Sequence, residues 1–350
     1  MNNCIHVVYV RLDLSDDENR HVAASMTSVM ENTQSNIHFH ILYHKPIHDN
    51  NIEKINKNIL HFKELTKKYQ QKISFHEVDI EKKLSGNPCN YRIFMPEILP
   101  DVDIVISLGY DTIVTLDLNE ILTNFPIEQY SLAGCLDTTF HATYDSWKEP
   151  VHRYYNKIGI TKDKYCNADV LVFNLSKIRK EGTLPNKVLK FYEQHTTPWL
   201  NEQDALNSVF REDIFYLPQR YNIQSRDGSY IRDILMIPND GKIEGCILHN
   251  KFWNDYLGNV DTLYWHYLSL TPWGSEKQLY HYMARTMKTP MQIIESIDSY
   301  IRLYPHKEII KMLWSFTIPL YIRMIKIFVH YIITGHMDYV ALKEKSIRRE

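Results

Sequence analysis

The segment "DIVISLGYDTIV" (residues 103–114) decides the fold. Its apolar run is typical of a buried strand, and the run ends on Gly109, Tyr110 and Asp111. In a largely parallel sheet, ligands bind beyond the carboxyl ends of the strands. Asp111 is therefore a candidate metal ligand, and the alternative is that it only caps the turn to Thr112.

The segments around it alternate between strand and helix patterns, which predicts an α/β fold with a mostly parallel sheet. Strands are predicted at 6–10, 37–44, 72–79, 130–137, 168–175 and 245–253, the last of which stops at His249. Helices are predicted at about 17–32, 49–68, 184–195 and 202–210, and a short one precedes residue 103.

Composition limits the classes of protein to which this chain can belong. The chain has 350 residues, is 44% hydrophobic and has a formal net charge of −2, so it can bury a large core and shows no bias toward nucleic acid. Five cysteines, odd in number and never in a CxxC pair, argue against a disulfide framework and a zinc cluster and favour a reducing cytosol. The N-terminal apolar run is too short for a signal peptide.

Seven short stretches occur in an order that resembles glycosyltransferase family 8, over about residues 5–255. They are "DDEN" (16–19), "NYRIFMPEILPDVDIVISLGYDTIV" (90–114), "AGCLD" (133–137), "CNADVLVFNL" (166–175), "NEQDALN" (201–207), "LPQRYN" (217–222) and "LHNKFW" (248–253). The family comprises retaining transferases that include bacterial lipopolysaccharide galactosyl- and glucosyltransferases. The resemblance implies a GT-A-type, Rossmann-like transferase domain over residues 1–255, followed by a helical C-terminal region over 256–350.

The resemblance also implies a metal site. The family's Asp-x-Asp motif holds Mn²⁺ or Mg²⁺ against the phosphates of a UDP-sugar, because a hard cation neutralises the charge of a diphosphate leaving group. Asp111 matches the second acid, but Gly109 stands where the first should be. His249 matches the third ligand and Lys251 a diphosphate contact. On this pattern, Gly109→Asp is expected to tighten metal binding.

The stretch "NEQDALN" matches the catalytic region of the family. Glu202 and Gln203 are expected to face the sugar and the acceptor, with Gln203 opposite the leaving phosphate. Asp204 is expected to bind a sugar hydroxyl or to support the helix start. The alternative for all three is a helix N-terminus with polar residues. Retention of configuration allows same-face departure and attack, or a double displacement with Gln203 as the nucleophile. The former is favoured, since an amide oxygen is a poor nucleophile but its dipole can stabilise positive charge.

Three further residues match positions near the donor sugar. Asp137 and Asn167 match groups that hydrogen-bond sugar hydroxyls, and Arg92 matches an arginine near the nucleotide-sugar. Asn167 could instead satisfy backbone groups at the start of its strand. The rival role of Arg92 is a surface ion pair with Glu97 or Asp101.

The first strand and the loop after it match the site for uracil and ribose. Asp16, Asp17 and Asn19 are expected to contact the base, and Tyr9 to contact it or pack beneath it. The alternative for the two acids is an N-cap and first-turn role in the next helix.

The function implied is transfer of a hexose, glucose or galactose, from a UDP-sugar to a glycan acceptor, in lipopolysaccharide or other surface polysaccharide synthesis. Gly109 leaves two alternatives open: a nucleotide-sugar-binding homologue with impaired catalysis, and a metal-independent transferase. A dinucleotide-binding dehydrogenase is disfavoured because no GxGxxG follows the first strand.

The segment 308–334 is apolar with a polar arc that includes Arg323 and Lys326, and it contains Pro319. Charges near its middle make a membrane span costly, so we expect an amphipathic helix in the membrane interface. Localisation is then cytoplasmic, at the inner face of the cell membrane, with a lipid-linked glycan as a suitable acceptor. The alternative is that this helix packs on the core or on a second subunit.

Overall fold

The computed structural model describes residues 4–44, 51–78, 88–124, 126, 129–138, 152–161, 164–182, 184–195, 198–224, 245–249, 251 and 259–275. The chain divides into two compact units, Met1–Asn250 and Lys251–Glu350, five residues before the expected boundary.

The first unit is built on a seven-stranded sheet in the order β3-β2-β1-β4-β7-β6-β8. Its strands are β1 (Ile5–Arg11), β2 (Ile37–His44), β3 (Lys72–Val78), β4 (Ile104–Leu108), β6 (Leu132–Leu136), β7 (Cys166–Asn174) and β8 (Ile214–Tyr216). The four strands from β3 to β4 are parallel, β7 is antiparallel to both its neighbours, and β8 is parallel to β6. This mostly parallel α/β sheet confirms the predicted fold.

Helices flank the sheet. They are α1 (Asn19–Asn32), α2 (Ile52–Lys68), α3 (Met95–Ile98), α4 (Asn119–Asn124), α5 (Leu175–Lys180), α6 (Leu184–Gln194) and α7 (Glu202–Phe210). In the second unit, the structure describes α8 (Asn259–Ser269).

The central strands are apolar on both faces because both faces are covered. Val7 and Val8, adjacent on β1 and so on opposite faces, are fully buried. On one face, α2 packs against the sheet with a single apolar stripe, and its Phe62 contacts Phe75 of β3. The helical spacing of that stripe in the sequence thus marks the face that meets the sheet.

A second, three-stranded sheet positions the polar groups discussed below. Its order is β5-β10-β9, with β5 at Thr112–Val114, β9 at Ile223–Gln224 and β10 at Ile247–His249. β10 runs antiparallel to β5 and places His249 opposite Thr112. The end of β4, the start of β5 and the end of β10 therefore meet at one edge.

The segment 308–334 lies outside the described residues, so the amphipathic helix expected there stays a prediction. Within the described part of the chain, no helix has both the length and the apolar character needed to cross a membrane.

Candidate active site

Two carboxylates and one imidazole converge where β4 ends. Nε2 of His249 lies 3.5 Å from Oδ2 of Asp111 and 3.2 Å from Oδ2 of Asp169. One ligand atom from each of the three residues lies within 4.8 Å of the others. The structure therefore brings Asp111 and His249 together, as predicted, and adds Asp169, which the sequence analysis missed.

The antiparallel pairing of β4 with β7 places Asp169 in this cluster. Leu108 pairs with Val170, and the backbone N–H of Gly109 donates to the carbonyl oxygen of Asp169 at 2.7 Å. Gly109 and Asp169 are thus directly opposite each other. The one signal in the sequence was a lone acid inside the apolar run "CNADVLVFNL".

The donor set of this cluster fits a divalent cation. Carboxylate oxygens and an imidazole nitrogen are ligands that Mn²⁺ and Mg²⁺ sites use. The side chains of Asp111, Asp169 and His249 are only 12%, 30% and 17% exposed, and Nδ1 of His249 has no hydrogen-bond partner among the described residues.

Burial and neighbouring charges shift the pKa values of His249 and Asp169 in opposing ways. Burial lowers the pKa of His249, but Asp169 and Asp111 outweigh it and raise that pKa to about 9. Burial raises the pKa of the Asp169 carboxyl and Asp111 adds to the rise, while His249 opposes it. Two close carboxylates are stabilised by a positive partner, which a protonated imidazole or a bound cation can supply.

Beside the cluster lies a floor of buried polar side chains. Oδ2 of Asp137 accepts from Nδ2 of Asn167 at 3.1 Å and from Nε2 of Gln203 at 2.9 Å. Oδ1 of Asn167 accepts from Nδ2 of Asn222 at 2.8 Å and from the N–H of Asp169 at 3.0 Å. Asp137, Asn167 and Gln203, all expected near the donor sugar, are thus brought together and joined to the carboxylate cluster.

Two side chains hold the backbone of Ala168 from both sides. Oε1 of Gln203 accepts from its N–H at 2.8 Å, and Nη1 of Arg92 donates to its carbonyl oxygen. Arg92 is buried and its Nε lies 3.1 Å from Oε1 of Glu202, so its partner is a buried acid and not a surface one. This clamp fixes the strand at Asn167 and Asp169.

Asp204 is fully buried and its oxygens are occupied. It accepts from the hydroxyls of Tyr154 and Tyr165 and from the N–H of Leu200. This placement matches support of the helix start, one of the two roles expected, and it moves Asp204 away from direct contact with a reacting sugar.

Tyr9 lies in the core and not on an open surface. It is 0% exposed, and its hydroxyl is 2.8 Å from Oγ of Ser25 on α1. This corrects the expected contact between Tyr9 and the base: in this structure the side chain packs β1 against α1.

The loop after β1 is held by Arg11. Its Nη2 donates to both carboxylate oxygens of Asp16 at 2.8 Å, while Asp17 is exposed. Asn19 is buried and donates to the backbone carbonyl of Asp16. Because α1 begins at Asn19 after an N-cap at Glu18, neither aspartate takes the N-cap role that was the alternative. The expected contact of Asp16, Asp17 and Asn19 with the base stays a prediction.

Lys251 is exposed and is the first residue of the second unit. Its expected contact with a diphosphate therefore stays a prediction.

A mostly parallel seven-stranded α/β sheet flanked by helices is the fold of GT-A glycosyltransferases. The chain belongs to glycosyl transferase family 8, whose profile matches residues 10–256.

Several proteins that resemble this chain in sequence or in structure are described as glycosyltransferases. A protein of Haemophilus influenzae described as a glycosyltransferase is 25% identical over 258 residues, which are 69% of this chain and 73% of that protein. The galactosyltransferase LgtC, solved as an active-site mutant, aligns with a TM-score of 0.53 at 20% identity over 82% of this chain and 98% of its own. The bifunctional glycosyltransferase WbbM aligns with a TM-score of 0.60 at 18% identity over 81% of this chain, which spans about half (52%) of WbbM.

Proposed function

We propose that this chain is a retaining glycosyltransferase that moves a hexose, glucose or galactose, from a UDP-sugar to a glycan acceptor in surface polysaccharide synthesis. The observation that carries the proposal is the convergence of Asp111, Asp169 and His249 beside the buried polar floor of Asp137, Asn167 and Gln203. LgtC, which shares the fold, was crystallised with donor and acceptor sugar analogues.

The charged cluster and the polar floor suit the two halves of such a donor. A divalent cation, Mn²⁺ or Mg²⁺, held by the cluster would neutralise the charge that develops on a departing nucleoside diphosphate. Asp137 and Asn167 offer an acceptor and an amide to sugar hydroxyls, and their mutual hydrogen bond holds both side chains in place. Glu202, paired with Arg92, acts through the clamp on Ala168 and supports these groups.

The placement of Gln203 supports retention by same-face departure and attack. Its amide oxygen already accepts from the N–H of Ala168, so its lone pairs are partly engaged. An amide oxygen held in this way is a poor nucleophile, but its dipole can stabilise positive charge near the anomeric carbon.

We further propose that the acceptor is a lipid-linked glycan and that the chain works at the inner face of the cell membrane through the segment 308–334. Sedimentation with vesicles of phosphatidylglycerol and phosphatidylcholine tests this. We expect Arg323→Glu/Lys326→Glu to reduce binding to the anionic vesicles. Unchanged binding of that variant would remove the membrane proposal and leave the transferase proposal intact.

The decisive test of activity is a panel of UDP-sugars with purified chain, Mn²⁺ or EDTA, and detection of released UDP. We expect hydrolysis of UDP-glucose or UDP-galactose with Mn²⁺ and its loss in EDTA. UDP binding without turnover of any donor would favour the binding homologue, and full activity in EDTA would favour the metal-independent transferase.

A further inference from the structure

The space beside Gly109 is already filled by the carboxylates of Asp111 and Asp169. A Cβ at position 109 would lie 2.7 Å from Oδ1 of Asp111 and 2.9 Å from Oδ1 of Asp169. Both distances are shorter than carbon–oxygen contact allows, so a side chain at 109 requires the carboxylates of Asp111 and Asp169 to move from their present positions.

We propose that Asp169 supplies the metal-binding carboxylate that position 109 lacks, so that the ligand set is Asp111, Asp169 and His249. This inference rests on the proposed function of the site. The carboxylate comes from the opposite strand of the β4–β7 pair, and the site keeps two acids although the motif on β4 has lost one. Gly109 is then a requirement of the site and not a sign of its decay.

The first test removes the carboxylate and measures Mn²⁺ binding directly. Titration of Mn²⁺, alone and with UDP, is followed by the electron paramagnetic resonance signal of the free ion. Asp169→Asn keeps the shape of the side chain, and we expect it to weaken binding at least about tenfold. Asp103→Asn, at the other end of β4 and 79% exposed, is the matched control and should bind as the wild type does. Wild-type affinity in Asp169→Asn would overturn the proposal.

The second test moves the carboxylate across the strand pair. Gly109→Asp alone should bind Mn²⁺ no more tightly than the wild type, because its new side chain meets the carboxylates of Asp111 and Asp169. This expected result is the opposite of the tighter binding expected from the sequence motif alone. Gly109→Asp/Asp169→Gly should recover affinity to within about threefold of the wild type, whereas Asp169→Gly alone should not.

Circular dichroism first checks that both variants are folded. If the folded double variant then binds Mn²⁺ as weakly as Asp169→Gly does, a carboxylate at 109 cannot replace the one at 169 and the proposed exchange is wrong. If Mn²⁺ binding follows these expectations while no UDP-sugar is hydrolysed, the proposed function fails and the ligand assignment stands.

A separate observation concerns four histidines on one face of β1, β2 and β3. Nδ1 of His6 lies 2.9 Å from Nε2 of His40, whose Nδ1 lies 3.0 Å from Nε2 of His76. His38 is the register partner of His6, and ring nitrogens of His6, His38 and His40 lie within 4.8 Å of one another.

The hydrogen bonds around these rings resemble those that orient metal-binding histidines. When Nδ1 of His40 donates to His76, Nε2 of His40 carries a lone pair that points at His6. Nε2 of His38 is 2.8 Å from Oγ of Ser74, a second outer partner. Such outer contacts fix the ring and its tautomer at metal sites.

This cluster is distinct from the carboxylate site. Val7 pairs with Ile106, so His6 is level with Val105, four residues before Gly109 and about 13 Å away along the strand direction. Burial lowers the pKa of His6, His38 and His40, the last to about 3, so these rings are neutral as ligands must be. Lys72, the register partner of His38, is exposed, and solvent screens its charge.

We propose that His6, His38 and His40 form a second metal site, for a borderline ion of the Zn²⁺ class, that ties β1 to β2. Three imidazoles suit Zn²⁺ and its neighbours, whereas the carboxylate-rich cluster suits harder ions. The fourth position would be left to water.

The test uses Zn²⁺ and Co²⁺ with the full chain carrying Asp169→Asn, which weakens the other cluster. We expect one Zn²⁺ per chain by calorimetry and a visible Co²⁺ spectrum, both lost on adding His38→Gln. Adding His44→Gln, on the same strand but outside the trio, should leave both unchanged. Absence of Zn²⁺ binding, or its persistence in His38→Gln, would show a hydrogen-bonded histidine chain only.

Discussion

Glu202 is a buried acid whose charge state changes near neutral pH. Burial raises its pKa to about 7, with Asp169 and Asp204 adding to the rise and Arg92 opposing it. The folded state therefore holds a proton that the unfolded chain releases near pH 4.5, and stability is lost as pH rises between these values.

Glu202→Gln removes this proton linkage. From pH 5 to pH 8, we expect its free energy of unfolding to improve relative to the wild type by about 1–3 kcal/mol. Denaturant titrations at several pH values measure the difference. A constant difference, or one that favours the wild type as pH rises, would show that Glu202 does not titrate as proposed.

Asp204 is expected to support the fold and not the chemistry. Asp204→Asn weakens the bonds from two tyrosine hydroxyls and should cost about 1–3 kcal/mol of stability, with Mn²⁺ affinity unchanged. Glu212→Gln, which removes a 78% exposed acid, is the control for loss of charge. A variant with wild-type stability that has lost turnover would assign Asp204 to catalysis instead.

Gln203 links the polar floor to Ala168, and its removal separates binding from chemistry. We expect Gln203→Ala to lower kcat about 10²-fold or more while UDP affinity changes little, because the amide is proposed to act on the sugar. Steady-state kinetics and calorimetry with UDP provide the two readouts. Equal losses in both would indicate a role in holding the nucleotide.

Individual residues show why the sequence predicted only part of the site. Asp111, His249, Asp137, Asn167 and Gln203 follow from local motifs, and the structure places them near one another. The contribution of Asp169 depends on cross-strand register, which no local pattern encodes. The expected contact of Tyr9 with the base is wrong for a similar reason. The alternation of residues along a strand does not reveal which face of the strand a helix covers.

At the scale of elements, β6 depends on close packing against β7. A Cβ at Gly134 would lie 2.5 Å from Sγ of Cys166 and 2.7 Å from Cδ2 of Leu171, beside an irregularity in strand register. Gly134→Ala should therefore cost about 1–3 kcal/mol of stability. Thermal unfolding measures this cost, and Gly134→Ala/Cys166→Ala should recover part of it. An unchanged melting temperature in Gly134→Ala would contradict the packing described.

Strand and helix patterns predicted most elements of the first unit, since burial on one or both faces leaves a clear period in the sequence. The order of the strands in the sheet could not be predicted from these patterns. The antiparallel insertion of β7 between β4 and β6, and the small sheet that carries β10 to β5, join segments distant in the chain. These two features build the candidate site.

For the whole molecule, ligand binding should increase the free energy of unfolding. Mn²⁺ with UDP at about one hundred times the dissociation constant should add about 2.7 kcal/mol, because both bind only the folded chain. Differential scanning fluorimetry should show a rise in melting temperature that EDTA removes and that Asp111→Asn lacks. The same rise in EDTA would contradict metal-assisted binding of the nucleotide.

The most direct test of the account locates the ion itself. Crystals soaked with Mn²⁺ and UDP are measured at the manganese absorption edge. The account predicts an anomalous peak within about 2.4 Å of Asp111, Asp169 and His249, with the diphosphate on its open side. A peak bound by other residues, or UDP density with no ion beside these three, would contradict it.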